Sequence, residues 1–198
     1  MDQTFFKLQE ALTQPGCFLC RLEEDHGRRF LEGLFYEFVN DSTVRHKLLA
    51  GGFCPDHARM LFTLRPSVLG IAIVLQNLLQ RYLDGGKRPD PAHCLVCQNW
   101  REHLQHLVHL LHTRWESLRN SWGEETFLCT RHLEEFSGAF RLELEEVVHR
   151  KLSGILGHLS HFVEKFDYHN TGLPITPQEA RSWQEALEFF AGRKLQRD

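Results

Sequence analysis

The sequence predicts an all-α protein in which duplicated helical units share one core with a long C-terminal helix. Apolar residues recur at helical spacings through most of the 198 residues. No stretch shows sustained alternation of apolar and polar residues, so we expect essentially no sheet. One pattern of cysteines and histidines occurs twice along the chain, which indicates that the two halves are copies of one unit.

Seven helices follow from the apolar spacing and from the residues that begin and end each one. Pro66 and Ser67 begin the most apolar helix, and Gly85 with Gly86 ends it. Residues 176–179 form a capping box with proline at the first helical position. The predicted helices span residues 4–13, 20–39, 44–50, 68–82, 95–115, about 140–165 and 177–190.

The boundary between the two halves is predicted just after that glycine pair. Lys87 to Ala92 has the composition of a linker. We therefore expect a first helical repeat over residues 1–86 and a second over residues 87–198, which also carries the C-terminal helices. A chain of this length suits one domain or two small ones with a common core.

Composition and charge argue against several classes of protein. Lys and Arg total 23 against 26 Asp and Glu, without the basic excess that a nucleic-acid binder shows. The longest apolar run, Val68 to Leu79, is interrupted by Gly70 and Gln76, so we expect no membrane span. The N-terminus lacks the basic start and apolar stretch of a signal peptide, which predicts a cytoplasmic location. Cysteines in that reducing compartment favour metal or redox chemistry over disulfides.

The repeated pattern consists of a Cys-x-x-Cys pair followed, after a gap of similar length, by a Cys-x-x-His pair. All six cysteines belong to it, and none is left over. The first copy is Cys17, Cys20, Cys54 and His57, and the second copy is Cys94, Cys97, Cys129 and His132.

These donors at these spacings are typical of structural zinc sites. Zinc accepts thiolate sulfur and imidazole nitrogen in a tetrahedron, and two intervening residues let both donors of a pair face one ion. Four protein ligands leave no open position for water, which argues against catalysis. We expect two zinc ions per chain, each in a Cys3His site, with iron–sulfur ligation as the alternative.

The four motifs can be paired in two ways. In the within-repeat arrangement the pair at Cys17 joins the Cys-x-x-His pair at Cys54, whereas in the exchanged arrangement it joins the pair at Cys129. Loop-closure entropy separates the two by only about 1 kcal/mol, because it rises with the logarithm of loop length. We expect within-repeat sites, because duplication implies that each half was once a complete unit.

Two Glu-x-x-His pairs suggest a different metal chemistry. Di-iron carboxylate bundles carry this motif on each of two helices, together with a glutamate from each of two others. Solvated helix faces in a chain rich in Glu and His also explain such pairs. The residues concerned are Glu23, His26, Glu146 and His149, with Glu37 and Glu102 as the further glutamates.

Two further groups have an ordinary explanation. Histidines 103, 106, 109 and 112 step by three along one predicted helix and wind around it, so we interpret them as surface residues. Asp167 to Asn170, just past the long helix, is either a docking segment or a structural turn.

At the cysteine and histidine motifs the chain resembles a bacterial family numbered six-zero-six-two among the domains of unknown function. The second half departs slightly, because Phe127 and Leu128 precede its Cys-x-x-His pair where the first half has Gly52 and Phe53. The resemblance implies a bacterial, cytoplasmic origin and no particular activity. It extends over nearly the whole chain through Tyr36 to Asp41, Phe162 to Tyr168, and Trp183.

The leading hypothesis is a non-enzymatic, zinc-stabilised helical module that acts through contacts with other proteins. The second is a redox-sensing or iron–sulfur protein whose Cys3His centres respond to oxidant or carry electrons. A di-metal carboxylate enzyme built on the two Glu-x-x-His pairs is the third. The sequence alone assigns neither a partner nor an oligomeric state.

Overall fold

The computed structural model describes residues 3–38, 41–166 and 172–192. Ten α-helices occupy most of these ranges, which confirms the all-α prediction. None of the ten is long and apolar enough to cross a bilayer. They are α1 (Gln3–Leu12), α2 (Phe18–Gly33), α3 (Ser42–Gly51), α4 (Pro55–Leu64), α5 (Val68–Leu83), α6 (Leu95–Thr113), α7 (Trp115–Leu118), α8 (Thr130–Leu133), α9 (Gly138–Glu164) and α10 (Pro177–Ala191).

Seven of these helices correspond to the predicted ones. The helix expected over residues 20–39 ends as α2 at Gly33 and continues as a π-helical turn, Leu34–Phe38, with residue 39 outside the described ranges. Three helices, α4, α7 and α8, were not predicted. Two of them, α4 and α8, begin directly after Cys54 and Cys129.

Side-chain caps begin three of the predicted helices. The Asp41 carboxylate accepts a hydrogen bond from Val44 N at the start of α3, and the Ser67 hydroxyl accepts one from Gly70 N in α5. The predicted capping box of α10 is confirmed: Glu179 N donates to Thr176 Oγ1 at 3.2 Å, and Thr176 N donates to Glu179 Oε2 at 2.7 Å.

The expectation of essentially no sheet is confirmed among the described residues, where the one ladder is a two-stranded parallel pair of two residues per strand. Strand β1 (Gly16–Cys17) pairs with β2 (Thr126–Phe127), with Gly16 opposite Thr126 and Cys17 opposite Phe127. Strands of two residues are too short to produce an alternating pattern, so periodicity does not reveal them. The ladder fixes Cys17 beside the segment that leads into Cys129.

The chain forms two compact units. Unit 1 contains Met1–Leu22 together with Leu107–Asp198, and unit 2 contains Glu23–His106. Both ends of the chain therefore belong to unit 1, and the middle forms unit 2. These units do not coincide with the sequence repeats, whose division into residues 1–86 and 87–198 stays a prediction about duplication.

Each unit has its own apolar interior. In unit 1, Trp122 makes edge-to-face contacts with Phe18 and Trp115, at centroid distances of 5.3 and 5.5 Å, and Trp115 makes another with Phe140. Helices α9 and α10 of the same unit pack together. The buried core of unit 2 comprises Leu31, Leu34, Phe35, Leu48, Leu61, Val74, Cys94, Leu95 and Val96.

Candidate metal centres

The structure brings all eight predicted ligands together, in two groups of four. Within each group the donor atoms lie within 4.8 Å of one another. Site 1, in unit 1, is Cys17, Cys20, Cys129 and His132, and site 2, in unit 2, is Cys54, His57, Cys94 and Cys97.

The expected within-repeat pairing is therefore wrong, and the exchanged arrangement is the one present. The β1–β2 ladder supplies the reason for site 1, because it ties the first Cys-x-x-Cys pair to the last Cys-x-x-His pair. In unit 2, Asp90 N donates to Ala50 O at 3.1 Å, which holds the segment before Cys94 against the segment before Cys54. Backbone contacts just upstream of the motifs thus select which Cys-x-x-Cys pair joins which Cys-x-x-His pair. The two pairings differ little in loop-closure entropy, so these contacts can decide between them.

In site 1 the imidazole of His132 faces three sulfurs. Its Nδ1 atom lies 3.4 Å from Cys17 Sγ, 3.4 Å from Cys20 Sγ and 3.3 Å from Cys129 Sγ. The Sγ atoms of Cys20 and Cys129 are 3.6 Å apart. All four side chains are buried, and none is more than 5% exposed.

Site 2 has the same geometry, but its side chains are less deeply buried. His57 Nδ1 lies 3.1 Å from Cys54 Sγ, 3.6 Å from Cys94 Sγ and 3.4 Å from Cys97 Sγ. The Sγ atoms of Cys54 and Cys97 are 3.6 Å apart. Cys94 is fully buried, whereas Cys54 and Cys97 are only half-buried.

These spacings fit a single tetrahedral ion. With Zn–S at about 2.3 Å and Zn–N at about 2.0 Å, the edges of the tetrahedron are about 3.8 Å between sulfurs and about 3.6 Å from sulfur to nitrogen. The observed separations, 3.6 Å between sulfurs and 3.1–3.6 Å from sulfur to nitrogen, lie close to these edges. Each group can therefore hold one ion through its four side chains, with little rearrangement.

All eight donors occupy equivalent helix positions. The first residue of each motif immediately precedes a helix, as Cys17 precedes α2 and Cys54 precedes α4. The second is the third residue of that helix, as Cys20 is in α2 and His57 is in α4. Side chains at these two positions face each other across the first turn, as in a capping box, so a spacing of two residues places both donors on one ion.

Neighbouring thiols compete for protons in site 1. Burial raises the pKa of Cys17 well above its usual value, and hydrogen bonds with Cys129 and Cys20 raise it further. Hydrogen bonds from Cys17 and Cys20 lower the pKa of Cys129 to about 3, with help from His132 N–H and the charge of Arg131. One sulfur is thus favoured as a thiolate while another retains its proton.

The same division occurs in site 2. A hydrogen bond from Cys97 lowers the pKa of Cys94 to about 3, and hydrogen bonds from His57 and from backbone N–H groups add to the effect. The pKa of Cys97 is raised, because it donates to Cys94 and is partly buried. Three thiolates this close together require a compensating positive charge, which a divalent cation supplies.

Helix α10 covers site 1. Cys17 N donates to Glu188 Oε1 at 3.1 Å, and Gly192 at the end of α10 lies so close that an added Cβ would be 3.6 Å from Cys20 Sγ and 3.8 Å from Cys129 Sγ. Sequence reasoning missed Glu188 entirely, because no local signal links it to a motif 171 residues earlier.

Site 2 is bordered by glycines. A Cβ on Gly27 of α2 would lie 3.6 Å from His57 Nε2 and 3.5 Å from the Met60 sulfur. A Cβ on Gly51 would overlap the carbonyl of His93, directly before Cys94. Backbone therefore approaches backbone closely here, and this contact needs a residue without a side chain.

The Glu-x-x-His pairs do not form a metal site. Among residues 3–38, 41–166 and 172–192, only the two Cys3His groups gather three or more donors. His26 instead contacts Asn99 at 2.7 Å and stacks on His103 at a centroid distance of 4.4 Å. Glu146 and His149 are exposed, as expected of a solvated helix face.

Of the histidines predicted at the surface, 106, 109 and 112 are exposed, and His103 is half-buried against His26. The segment from Asp167 to Asn170, predicted to be either a docking segment or a structural turn, lies outside the described residues.

Comparison with known proteins places the chain in a family. Residues 4–88 match the family of unknown function DUF6062, a stretch that contains two donors of each site. The chain is also similar to a protein of Caldicellulosiruptor sp. (strain Rt8B.4), described as an uncharacterized 23.9 kDa protein in the xynA 3' region. The two are 30% identical over 200 residues, which cover 92% of this chain and 98% of that protein. No solved structure matches the chain. The chain belongs to the DUF6062 family.

Proposed function

We propose that each Cys3His group holds one structural zinc ion and that the protein is a non-enzymatic helical module acting through contacts with other proteins. The observation that carries the proposal is the pair of four-donor groups with nearly tetrahedral spacing. Four protein ligands close the coordination sphere, so neither water nor substrate has a position on the ion.

A structural role also accounts for where the ligands lie. Site 1 joins the two separate segments of unit 1, because Cys17 and His132 are 115 residues apart in sequence. Site 2 joins the starts of α4 and α6. An unfolded chain has no preformed site at either place, so metal-binding energy is at the same time folding energy.

The cytoplasmic and bacterial assignments belong to the proposal. All six cysteines are free of disulfides and serve the two groups, which is typical of reducing compartments. A role in protein contacts is supported by large apolar side chains that remain exposed on α5, including Leu79 and Leu83.

Iron–sulfur ligation is the second candidate, and the spacing weighs against it. In a multi-iron cluster, irons and bridging sulfides stand between the protein ligands, so the cysteines do not converge on one point. Here all four donor atoms lie within 4.8 Å of one another. The half-buried Cys54 and Cys97 do favour a redox response of site 2, which is compatible with zinc.

Elemental analysis of protein purified without added metal tests the proposal. We expect about two equivalents of zinc per chain and a colourless solution. Brown protein containing iron would support the alternative, and freshly isolated protein without metal would refute both. As internal controls, Cys54→Ser and Cys129→Ser should each retain one equivalent.

A further inference from the structure

One face of α5 is an exposed apolar stripe. Gly70 and Val74 lie on the buried side of α5, towards the interior of unit 2. The opposite, exposed side of the helix carries apolar residues separated alternately by four and three positions. This alternation is the spacing with which one helix packs lengthwise on another. The stripe, hereafter the α5 stripe, comprises Val68, Ala72, Leu75, Leu79 and Tyr82.

The α5 stripe is also uncharged along nearly its whole length. No Asp, Glu, Lys or Arg occurs from Val68 to Gln80. Charged residues beside a helical seam normally select a partner of opposite charge. Their absence favours a partner surface that is itself apolar and uncharged, and a second copy of this helix has that property.

The order of side chains fits an antiparallel pair of identical helices. If Leu75 lies on the two-fold axis, Val68 comes opposite Tyr82, and Ala72 comes opposite Leu78, one residue from Leu79. On either side of the axis a smaller side chain then meets a larger one, as close packing requires. A two-fold interface must be self-complementary in this way, because each residue meets the residue related to it by the axis.

A groove beside the C-terminal half of α5 can receive side chains from the N-terminal half of the partner helix. It has a volume of about 440 Å³ and is lined by Leu75, Leu78, Leu79, Tyr82, Arg88 and Pro89. The N-terminal half carries Val68 and Leu69, which are 69% and 73% exposed. In the antiparallel arrangement these two side chains of one copy meet the groove of the other.

The apolar area is of the size that a dimer needs. Val68, Leu69, Leu75, Leu79, Tyr82 and Leu83 are 44–77% exposed. A fully exposed side chain of this kind has roughly 60–120 Å² of apolar accessible surface, so the exposed fractions of the six together present roughly 350 Å². One partner of a standard interface contributes about 800 Å², of which about 450 Å² is apolar. The stripe and its flanks therefore supply most of that apolar share.

We propose that the protein forms a two-fold symmetric homodimer in which the α5 stripe packs antiparallel against the α5 stripe of a second copy. The inference goes beyond the proposed function, because none of the zinc ligands lies in the stripe. Failure of the dimer therefore leaves the zinc assignment standing, and zinc content is measured on every sample to keep the two apart.

Sedimentation equilibrium of the full-length, zinc-loaded protein is the first test. An interface of this size supports micromolar or tighter affinity, so the dimer should predominate at about 50 μM. A wild-type protein that remains monomeric at that concentration would overturn the proposal, and so would a larger closed assembly that persists when the stripe is altered.

Substitution at the two-fold axis is the second test. Leu75→Glu places two carboxylates against each other in the interface and should weaken dimerisation at least about 100-fold. The matched control is Leu156→Glu on α9, where a leucine is 63% exposed and lies outside the stripe. The control should dimerise like wild type. Equal affinities for wild type and Leu75→Glu, at unchanged zinc content, would refute the interface.

Mixing oppositely charged variants tests the two-fold axis itself. Leu75→Glu and Leu75→Lys should each be monomeric alone and should form a heterodimer when mixed, because position 75 of one copy faces position 75 of the other. Recovery in the mixture supports a two-fold contact between the two copies of position 75. Two variants that remain monomeric when mixed, each folded with two zinc ions, would contradict it.

Discussion

Site 1 and site 2 present the same donors at the same helix positions but in different surroundings. Every ligand of site 1 is buried and α10 lies over it, whereas two sulfurs of site 2 are half-buried. The recurring motif thus supplies the same four donors to each site, while the chain around each site determines how well it is shielded. We infer that the two ions would have similar coordination and different accessibility.

The largest expected difference concerns stability. Cys129→Ser should abolish site 1 and lower the melting temperature by about 10 °C or more, because several kcal/mol are lost at about 2–4 °C per kcal/mol. Cys54→Ser should lower it less, since site 2 is partly exposed already.

Near-UV circular dichroism separates the two effects. Three of the four tryptophans, Trp115, Trp122 and Trp183, lie in unit 1. Cys129→Ser should therefore lose most of the tryptophan signal, whereas Cys54→Ser should keep most of it. Equal losses in the two variants would show that the sites do not stabilise separate units.

The second largest expected difference between the two sites is the reactivity of their cysteines towards oxidants. Under hydrogen peroxide, site 2 should lose its zinc first, because Cys54 and Cys97 are half-buried with their sulfurs 3.6 Å apart. Two thiolates, one peroxide and two protons then give one disulfide and two waters, and the ion is released. Zinc release followed with a chromogenic chelator should show one fast and one slow equivalent.

Peptide mapping by mass spectrometry should find the Cys54–Cys97 disulfide in the fast phase. The matched control is Cys97→Ser, which should lack that phase and keep the slow one. A first disulfide between Cys20 and Cys129, whose sulfurs are also 3.6 Å apart, would reverse the predicted order of the sites.

The comparison also shows what local sequence determines. Helix periodicity, the capping box at Thr176 and the eight residues that gather in the two groups could all be predicted, because each depends on residues a few positions apart. The pairing could not, because it depends on the two-residue ladder at Gly16 and on the contact between Asp90 and Ala50. Such contacts are tertiary, and the entropy difference between the pairings is too small to decide between them. The contact of Glu188 with Cys17 in site 1 could not be predicted either, because the two residues are 171 positions apart.

A smaller effect tests that cover. Gly16 has φ +88°, and a Cβ there would lie 2.7 Å from Glu188 Oε1. Gly16→Ala should lower the free energy of unfolding by about 1–2 kcal/mol through backbone strain and should speed zinc loss from site 1. Gly154→Ala is the control, because that helical glycine has open space around it. It should raise stability by about 0.5–1 kcal/mol and leave zinc release unchanged. The free energies of unfolding are measured by denaturant titration. Equal changes in the Gly16→Ala and Gly154→Ala variants would show that the contact at Gly16 is not strained.

The smallest effect concerns the cap of α10. The Lys165 ammonium and the Thr176 N–H hold the pKa of Glu179 at about 2, below its ordinary value of 4.5. Because the folded pKa is the lower one, this contribution to stability is complete above about pH 4.5 and is lost as pH falls towards 2. The difference in stability between wild type and Glu179→Gln should shrink over that window. A difference independent of pH would mean that the charge of Glu179 does not matter.

The pairing of the ligands is the central claim, and zinc stoichiometry of two double variants tests it most directly. Cys17→Ser with Cys129→Ser removes two ligands of site 1 and should leave one zinc per chain, held by site 2. Cys17→Ser with Cys54→Ser damages both sites and should leave none. The reverse outcome, no zinc in the first variant and one in the second, would contradict the exchanged arrangement and restore the within-repeat sites.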